Sequence, residues 1–155
     1  MFKKILVCLD GSDLSEQILP YVEKQAKSFK STVILVHVAS EPLIVPIGIP
    51  GEPGYPIRTK SMVKEMQQEL IHFEEYLNKL ALRFRKLKIR VKCEILGGSA
   101  GESIVNYAKG KKVNLIAMAT HGRSGVGRTI LGSVADYVVR ESGLPILLIR
   151  PQREL

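Results

Sequence analysis

Two segments of this sequence combine the residue types that hold anionic ligands. The first is Asp10-Gly11-Ser12-Asp13, directly after an apolar run, and the second is Thr120–Ser133, THGRSGVGRTILGS. The second holds Gly122, Gly125, Gly127 and Gly132, with Arg123, Arg128 and the hydroxyls of Thr120, Ser124 and Ser133. Glycine lets a backbone approach an anion closely and turn its N–H groups inward. Gly132-Ser133 opens a helical pattern, whose unpaired amides and dipole favour a phosphate. Four glycines within eleven residues before a helix exceed what a turn requires. Arg123 and Arg128 are candidate phosphate contacts by charge, with solvent-facing loop charge as the competing reading. Standard nucleotide fingerprints do not match. Gly127 and Gly132 have Walker-A spacing, but Ser133 occupies the lysine position, and the motif begun by Gly125-Val126-Gly127 has Ile130 in place of its last glycine.

Other reactive residues form no catalytic set. His37 lies in a strand pattern and reads as a packed core residue, His72 reads as surface, and His121 is a contact candidate in the glycine loop. No Ser-His-Asp or paired-carboxylate arrangement can be argued from spacing, so no catalytic residue is assigned and efficient hydrolysis is not expected. Cys8 and Cys93 sit in apolar runs without CxxC spacing and read as reduced core thiols.

Two such segments can face one ligand only if the strands before them are neighbours. Lys3–Leu9 is a short apolar run, as expected for a strand buried on both faces. Asp13 and Glu16 have capping-box spacing, with Asp13 as the cap of a helix running through Val22 and Ala26, and Pro20 as a kink or shifted first turn. Thr32–Val38 is a second strand. Glu41–Lys60 carries five of the eight prolines and predicts a long loop, a lid or contact surface, or an extended surface wrap. From Ser61 to Leu87 apolar residues recur every three or four positions, predicting one long helix. Ile89–Leu96 alternates, as a strand nearer the sheet edge does. Ser99 and Glu102 form a second capping box for a helix to Lys109, and Val113–Ala119 is a buried strand. Ser133–Ser142 is a helix and Pro145–Ile149 the last strand. Five strand–helix alternations predict one α/β domain over residues 1–155: an open, parallel, five-stranded, Rossmann-like sheet with helices on both faces. Such sheets bind ligands beyond the carboxyl ends of their strands, where the strand order reverses.

Composition bounds the partners. Over 155 residues, 45% hydrophobic and 25% charged content is that of a globular domain, and no apolar stretch reaches bilayer-spanning length. The basic amino terminus has too short an apolar run for a secretory signal, so a cytoplasmic location is expected. A net charge of +8 favours anionic partners. Its densest cluster, from Lys79 to Lys92, reads as a solvated helix end and exposed strand. With no aromatic except Phe84 among those charges, sequence-specific nucleic-acid binding is not expected, and neither nucleic acid nor a membrane is an expected partner.

The string Met118–Ser133, MATHGRSGVGRTILGS, followed by VADYVVRESGLPILLIRP, resembles the universal stress protein family, as do ILVCLDGSDLSE and VILVHV nearer the amino terminus. Nucleotide-binding members carry G-x2-G-x9-G-[S/T] after the fourth strand. Gly122 matches the second glycine, Gly132 the third and Ser133 the hydroxyl, while Ala119 stands in place of the first. The resemblance implies a fold like that of the adenine-nucleotide α-hydrolases and ATP as ligand. It implies Asp10 on the ribose or adenine side, the Val38 backbone at the adenine, and Gly122, Gly132 and Ser133 around the phosphates. On charge alone, apart from the resemblance, Arg123 and Arg128 are candidate supplementary phosphate contacts, and Asp10 or Asp13 is a candidate to help hold Mg²⁺. The family commonly dimerises through its last strand, here Pro145 to Ile149. The expected role is a nucleotide-dependent regulatory or stress-response module with unidentified protein partners. Two alternatives stand: a dimeric interaction protein whose site is empty, or an α-hydrolase-type enzyme with slow ATP hydrolysis at most. The stretch from Asp10 to Ser15 lacks the double glycine of that enzyme's S-G-G-x-D-S motif.

Overall fold

The computed structural model describes residues 1–39, 60–120 and 131–152. Along the chain run β1 (Lys4–Cys8), α1 (Asp13–Glu16), α2 (Leu19–Phe29), β2 (Thr32–Ala39), α3 (Lys60–Lys86), β3 (Arg90–Gly97), α4 (Ala100–Gly110), β4 (Leu115–Ala119), α5 (Ser133–Glu141) and β5 (Ile146–Ile149). The strands form one sheet in the order β3-β2-β1-β4-β5, every pairing parallel. Strand order reverses between β1 and β4, the position where an open α/β sheet accepts a ligand. Among the described residues no helix is long and apolar enough to cross a membrane.

The alternation of side chains along each strand sorts the core into two layers. On one face Ile5, Val7, Val33 and Leu35 pack with Leu19, Val22 and Ala26 of α2 and with Leu77, Ala81 and Phe84 of α3. On the other, Leu6, Ile34, Val36 and Ile116 pack with Ile104 and Val105 of α4 and Ala135 and Val138 of α5. Each fully buried aliphatic side chain contributes about 1.5–3 kcal/mol, so these central strands anchor the structure. The edge strand β3 is only half-buried, as its alternating sequence predicts.

Local details depart from the sequence reading in three places. The cap of α1 is Ser12, not Asp13: Ser12 has extended backbone and its Oγ accepts from the Ser15 N–H at 3.1 Å. The helix does not run on unbroken, because Pro20 falls at the first turn of a second helix and leaves α1 only four residues long. Ser99 stands at the N-cap position of α4, but its side chain makes no capping bond. The long apolar stripe of α3 is real as a helix, yet of its residues only Leu77, Ala81 and Phe84 are buried, and Met62 is 42% exposed. A helix of this length outruns the sheet it covers, so among the described residues its amino-terminal half has less to pack on. The proline-rich segment up to Thr59 lies outside the described residues.

Candidate functional site

At the carboxyl end of the sheet, where β1 and β4 part company, lies a cleft of about 310 Å³. Its lining includes Asp10 after β1, Val38 near the end of β2, Ala119 at the end of β4, and Gly132 and Ser133 at the start of α5. Five residues singled out in the sequence thus meet around one space. Gly122 and Arg123 lie outside the described residues, as do His121 and Arg128. Beside them the cleft has an apolar wall of Val36, Ile104 and Met118. Its volume falls within the usual range of small-molecule sites, which are mostly apolar with a few placed polar groups.

The loop after β1 is held by its own short hydrogen bonds. Asp10 Oδ1 accepts from the Ser12 N–H at 3.0 Å and from the Ser12 hydroxyl at 2.6 Å, closing an Asx turn. Ser15 Oγ donates to the Ser12 carbonyl at 2.8 Å. Gly11 has φ of +85°, and a Cβ there would come within 3.0 Å of Phe73 Cε1. The loop is therefore packed down on α3, which fixes where the Asp10 carboxylate stands.

His37 supplies the less obvious part of the design. In the parallel ladder the Leu9 N–H donates to the Val36 carbonyl at 2.9 Å. Were β1 to continue, the Leu9 carbonyl would next accept from the Val38 N–H. Instead it accepts from His37 Nδ1 at 2.9 Å, which sets the tautomer with a proton on that nitrogen. Among the described residues the Val38 N–H and carbonyl then have no backbone partner on the β1 side, and Val38 borders the cleft. The His37 ring stacks on Phe73 and is 7% exposed. Burial holds its pKa below the usual imidazole range, against the pull of the Leu9 carbonyl and of Glu69 and Asp10. His37 is the core histidine that its strand pattern predicts, but it also lines the cleft. The signal available in the sequence was its place next to Val38.

Positive potential in the described part of the cleft comes from backbone. Gly132 caps α5 without a side chain, and the first internal bond of the helix runs from the Asp136 N–H to the Gly132 carbonyl at 2.9 Å. The amides of Ser133, Val134 and Ala135 precede that bond and have no helical acceptor, and all three residues line the cleft. The amino end of α5 adds about half a positive charge. The α4 end approaches closely: a Cβ on Gly101 would lie 2.8 Å from Tyr137 Cδ1 of α5, and Ala100 borders the same space. Cys8 lines the cleft as a neutral thiol, its pKa pushed up by burial to about 12. Among the described residues no group of three His, Cys, Asp or Glu is placed to hold a metal ion.

Comparison with known proteins follows the same outline. The profile of the universal stress protein family matches residues 1–150. The chain is similar to the universal stress protein MJ0531 of Methanocaldococcus jannaschii, 30% identical over 155 residues that cover 99% of this chain and 86% of that one. Among solved structures it resembles a universal stress protein family member from Burkholderia pseudomallei, with a TM-score of 0.70, 21% identity and 97% of each chain covered. It also resembles a universal stress protein in complex with cAMP, with a TM-score of 0.62, 18% identity and coverage of 97% of this chain and 98% of that one.

Proposed function

The chain belongs to the universal stress protein family, and from that premise we propose that it is a single such domain, residues 1–155, that binds an adenine nucleotide in the cleft between β1 and β4. The ligand is ATP, with Mg²⁺ on its phosphates, and its occupancy regulates a stress-response interaction in the cytoplasm. The observation that carries this reading is that, among the described residues, a Val38 backbone without a partner on the β1 side and an α5 start without a side-chain cap face each other across one cleft.

Each end of the cleft suits one end of the nucleotide. An adenine edge offers a donor and an acceptor, which the Val38 carbonyl and N–H complement. The apolar wall of Val36, Ile104 and Met118 accommodates a flat ring. A carboxylate repels phosphate and accepts from hydroxyls, which assigns Asp10 to the ribose. The α5 amides, Gly132 and the Ser133 hydroxyl take the phosphates, joined by Gly122 and Arg123. Ala119 is 8% exposed beneath the sugar, where its methyl narrows the site without filling it. That a relative of this fold is found in complex with cAMP supports purine-nucleotide chemistry. No residue is assigned a catalytic role, and any ATPase activity is weak. The half-buried edge strand β5 pairs with a second copy along Pro145–Ile149, which sedimentation at micromolar concentration reads as a dimer.

Thermal unfolding of nucleotide-free protein with ATP, ADP, cAMP and GTP, each with and without Mg²⁺, tests the reading. A ligand at 100 times its Kd stabilises by about 2.7 kcal/mol, a rise of about 5–10 °C for a chain of this size. Gly132 has a negative φ of −51°, which a side chain tolerates, so Gly132→Val is expected to fold and to lose the ATP-dependent rise. No shift with any nucleotide at millimolar concentration overturns the proposal in favour of a dimeric interaction protein.

A further inference from the structure

The amino-terminal end of the sheet, opposite the cleft, carries a different chemistry. Strand register sets Lys4, Thr32 and Arg90 level across β1, β2 and β3, and the Asn114 N–H donates to the Lys4 carbonyl at 3.0 Å to bring the start of β4 to the same level. Two residues before Thr32, Arg90 and Asn114 stand Lys30, Lys88 and Lys112, each in the left-handed region with φ of 51°, 58° and 54°. They follow α2, α3 and α4, at positions where glycine is the usual occupant and another residue costs about 1–2 kcal/mol. Among the described residues none of the three ammonium groups has a hydrogen bond or ion pair.

Around this row the segments 1–4, 27–32, 85–90 and 109–114 hold eleven lysines and arginines, all exposed, and no aspartate or glutamate. Helix carboxyl ends attract cations, and some of the set serves that purpose. Lys4 Nζ donates to the Lys111 carbonyl at 2.8 Å, and Lys109 Nζ to the Glu141 carbonyl at 3.0 Å. Three helix ends amount to about 1.5 negative charges, far fewer than eleven cations. Arg90 Nη2 also donates to the Lys30 carbonyl at 3.5 Å, and Lys111 Nζ lies 5.9 Å from the centre of the Tyr107 ring; among the described residues the rest of the set has no such partner. Lys27, Lys30, Lys88 and Arg90 border a groove of about 350 Å³ floored by Ala26 and Ile89. With strands about 4.8 Å apart, the row from Lys88 to Lys112 spans about 14 Å, a length over which duplex DNA presents about eight charges.

We propose that this end of the sheet binds the phosphodiester backbone of a duplex nucleic acid without reading its sequence. Surface binding to a membrane calls for apolar side chains beside the cations, and within these segments Met1 is the single exposed large apolar residue. Single strands call for stacking platforms, and the aromatic pair here, Phe2 and Phe29, packs edge-to-face on itself at 5.2 Å. The lack of interleaved aromatics in the sequence speaks against reading bases, not against holding phosphates.

Fluorescence anisotropy of the full chain with labelled short duplexes of unrelated sequence, from about 50 to about 200 mM salt, tests this. Binding is expected to be equal for all sequences and to weaken steeply with salt. The K30G/K88G/K112G variant relieves three strained backbones, so it stays folded, and it binds at least about tenfold more weakly at low salt, with a salt slope reduced by about 2–3. K30Q/K88Q/K112Q weakens binding likewise. K60Q/K64Q/K79Q, which removes equal charge from α3, stays within about twofold of the parent. Wild-type affinity in the glycine variant, equal weakening in the α3 variant, or preference for phosphatidylserine vesicles over duplex overturns the proposal.

Discussion

The two ends of one parallel sheet handle charge by opposite means. At the carboxyl end the cleft has an apolar wall, the Asp10 carboxylate and small residues at the start of α5, and among the described residues its positive potential comes from the α5 amides that have no helical acceptor. At the amino end the backbone offers helix carbonyls, and the attraction comes from exposed lysines on strained turns. Parallel topology produces this division. Every strand enters from the same end and every helix starts at the other, so amides collect above the sheet and carbonyls below it. Shape therefore decides what enters the first site, since backbone donors are fixed in place. Quantity of charge decides what approaches the second, because lysine side chains are mobile and read no shape.

Substitutions can break or sharpen this contrast. The largest effect is expected from Gly101→Leu. A side chain there must displace Tyr137, whose Cβ and Cγ lie within 3.0 Å of the added carbon and cannot swing aside. Denaturant unfolding should show a loss of about 1–3 kcal/mol, along with loss of any nucleotide-dependent stabilisation. K30G/K88G/K112G, by contrast, should unfold no more easily than the parent. If the two variants were equally destabilised, close packing would not be what distinguishes the carboxyl end. The smallest effect is on pH. The folded protein holds His37 with a depressed pKa, so the unfolded chain binds more protons as pH falls below the ordinary imidazole value of about 6.5. Stability should be level above that value and decline below it. His37→Gln, whose amide can still donate to the Leu9 carbonyl, should remove the His37 part of that decline, and an unchanged pH profile would discount the buried imidazole.

Much of the fold was legible because its signals are local. The apolar runs around Leu6, Ile34, Ile116 and Leu147 became strands, and the three-and-four spacing from Met62 to Phe84 became a helix. The site was legible where residue type alone limits use: Asp10, Gly132 and Ser133 mark strand and helix ends by composition. What escaped depends on register and packing. Asp13 is as good a capping residue as Ser12, and only the turn closed by Asp10 decides between them. The diversion of the Leu9 carbonyl to His37 requires knowing which strands pair and where β1 stops. The contact of Gly101 with Tyr137 joins helices 36 positions apart, which no spacing rule anticipates. The alignment of Lys30, Lys88 and Lys112 escaped for the same reason, since the sequence shows basic residues but not their common level.

That common level has a consequence for how the molecule travels. Eleven cations lodged at one pole make a tumbling protein a lever, and any extended negative surface exerts a torque on it before contact. Encounters therefore begin with the lysine pole leading and the cleft trailing, facing away into open solvent. Small solutes keep their route in and out of the cleft while the opposite pole is engaged. In molar salt that torque vanishes within about 3 Å, and the protein meets its surroundings in every orientation alike.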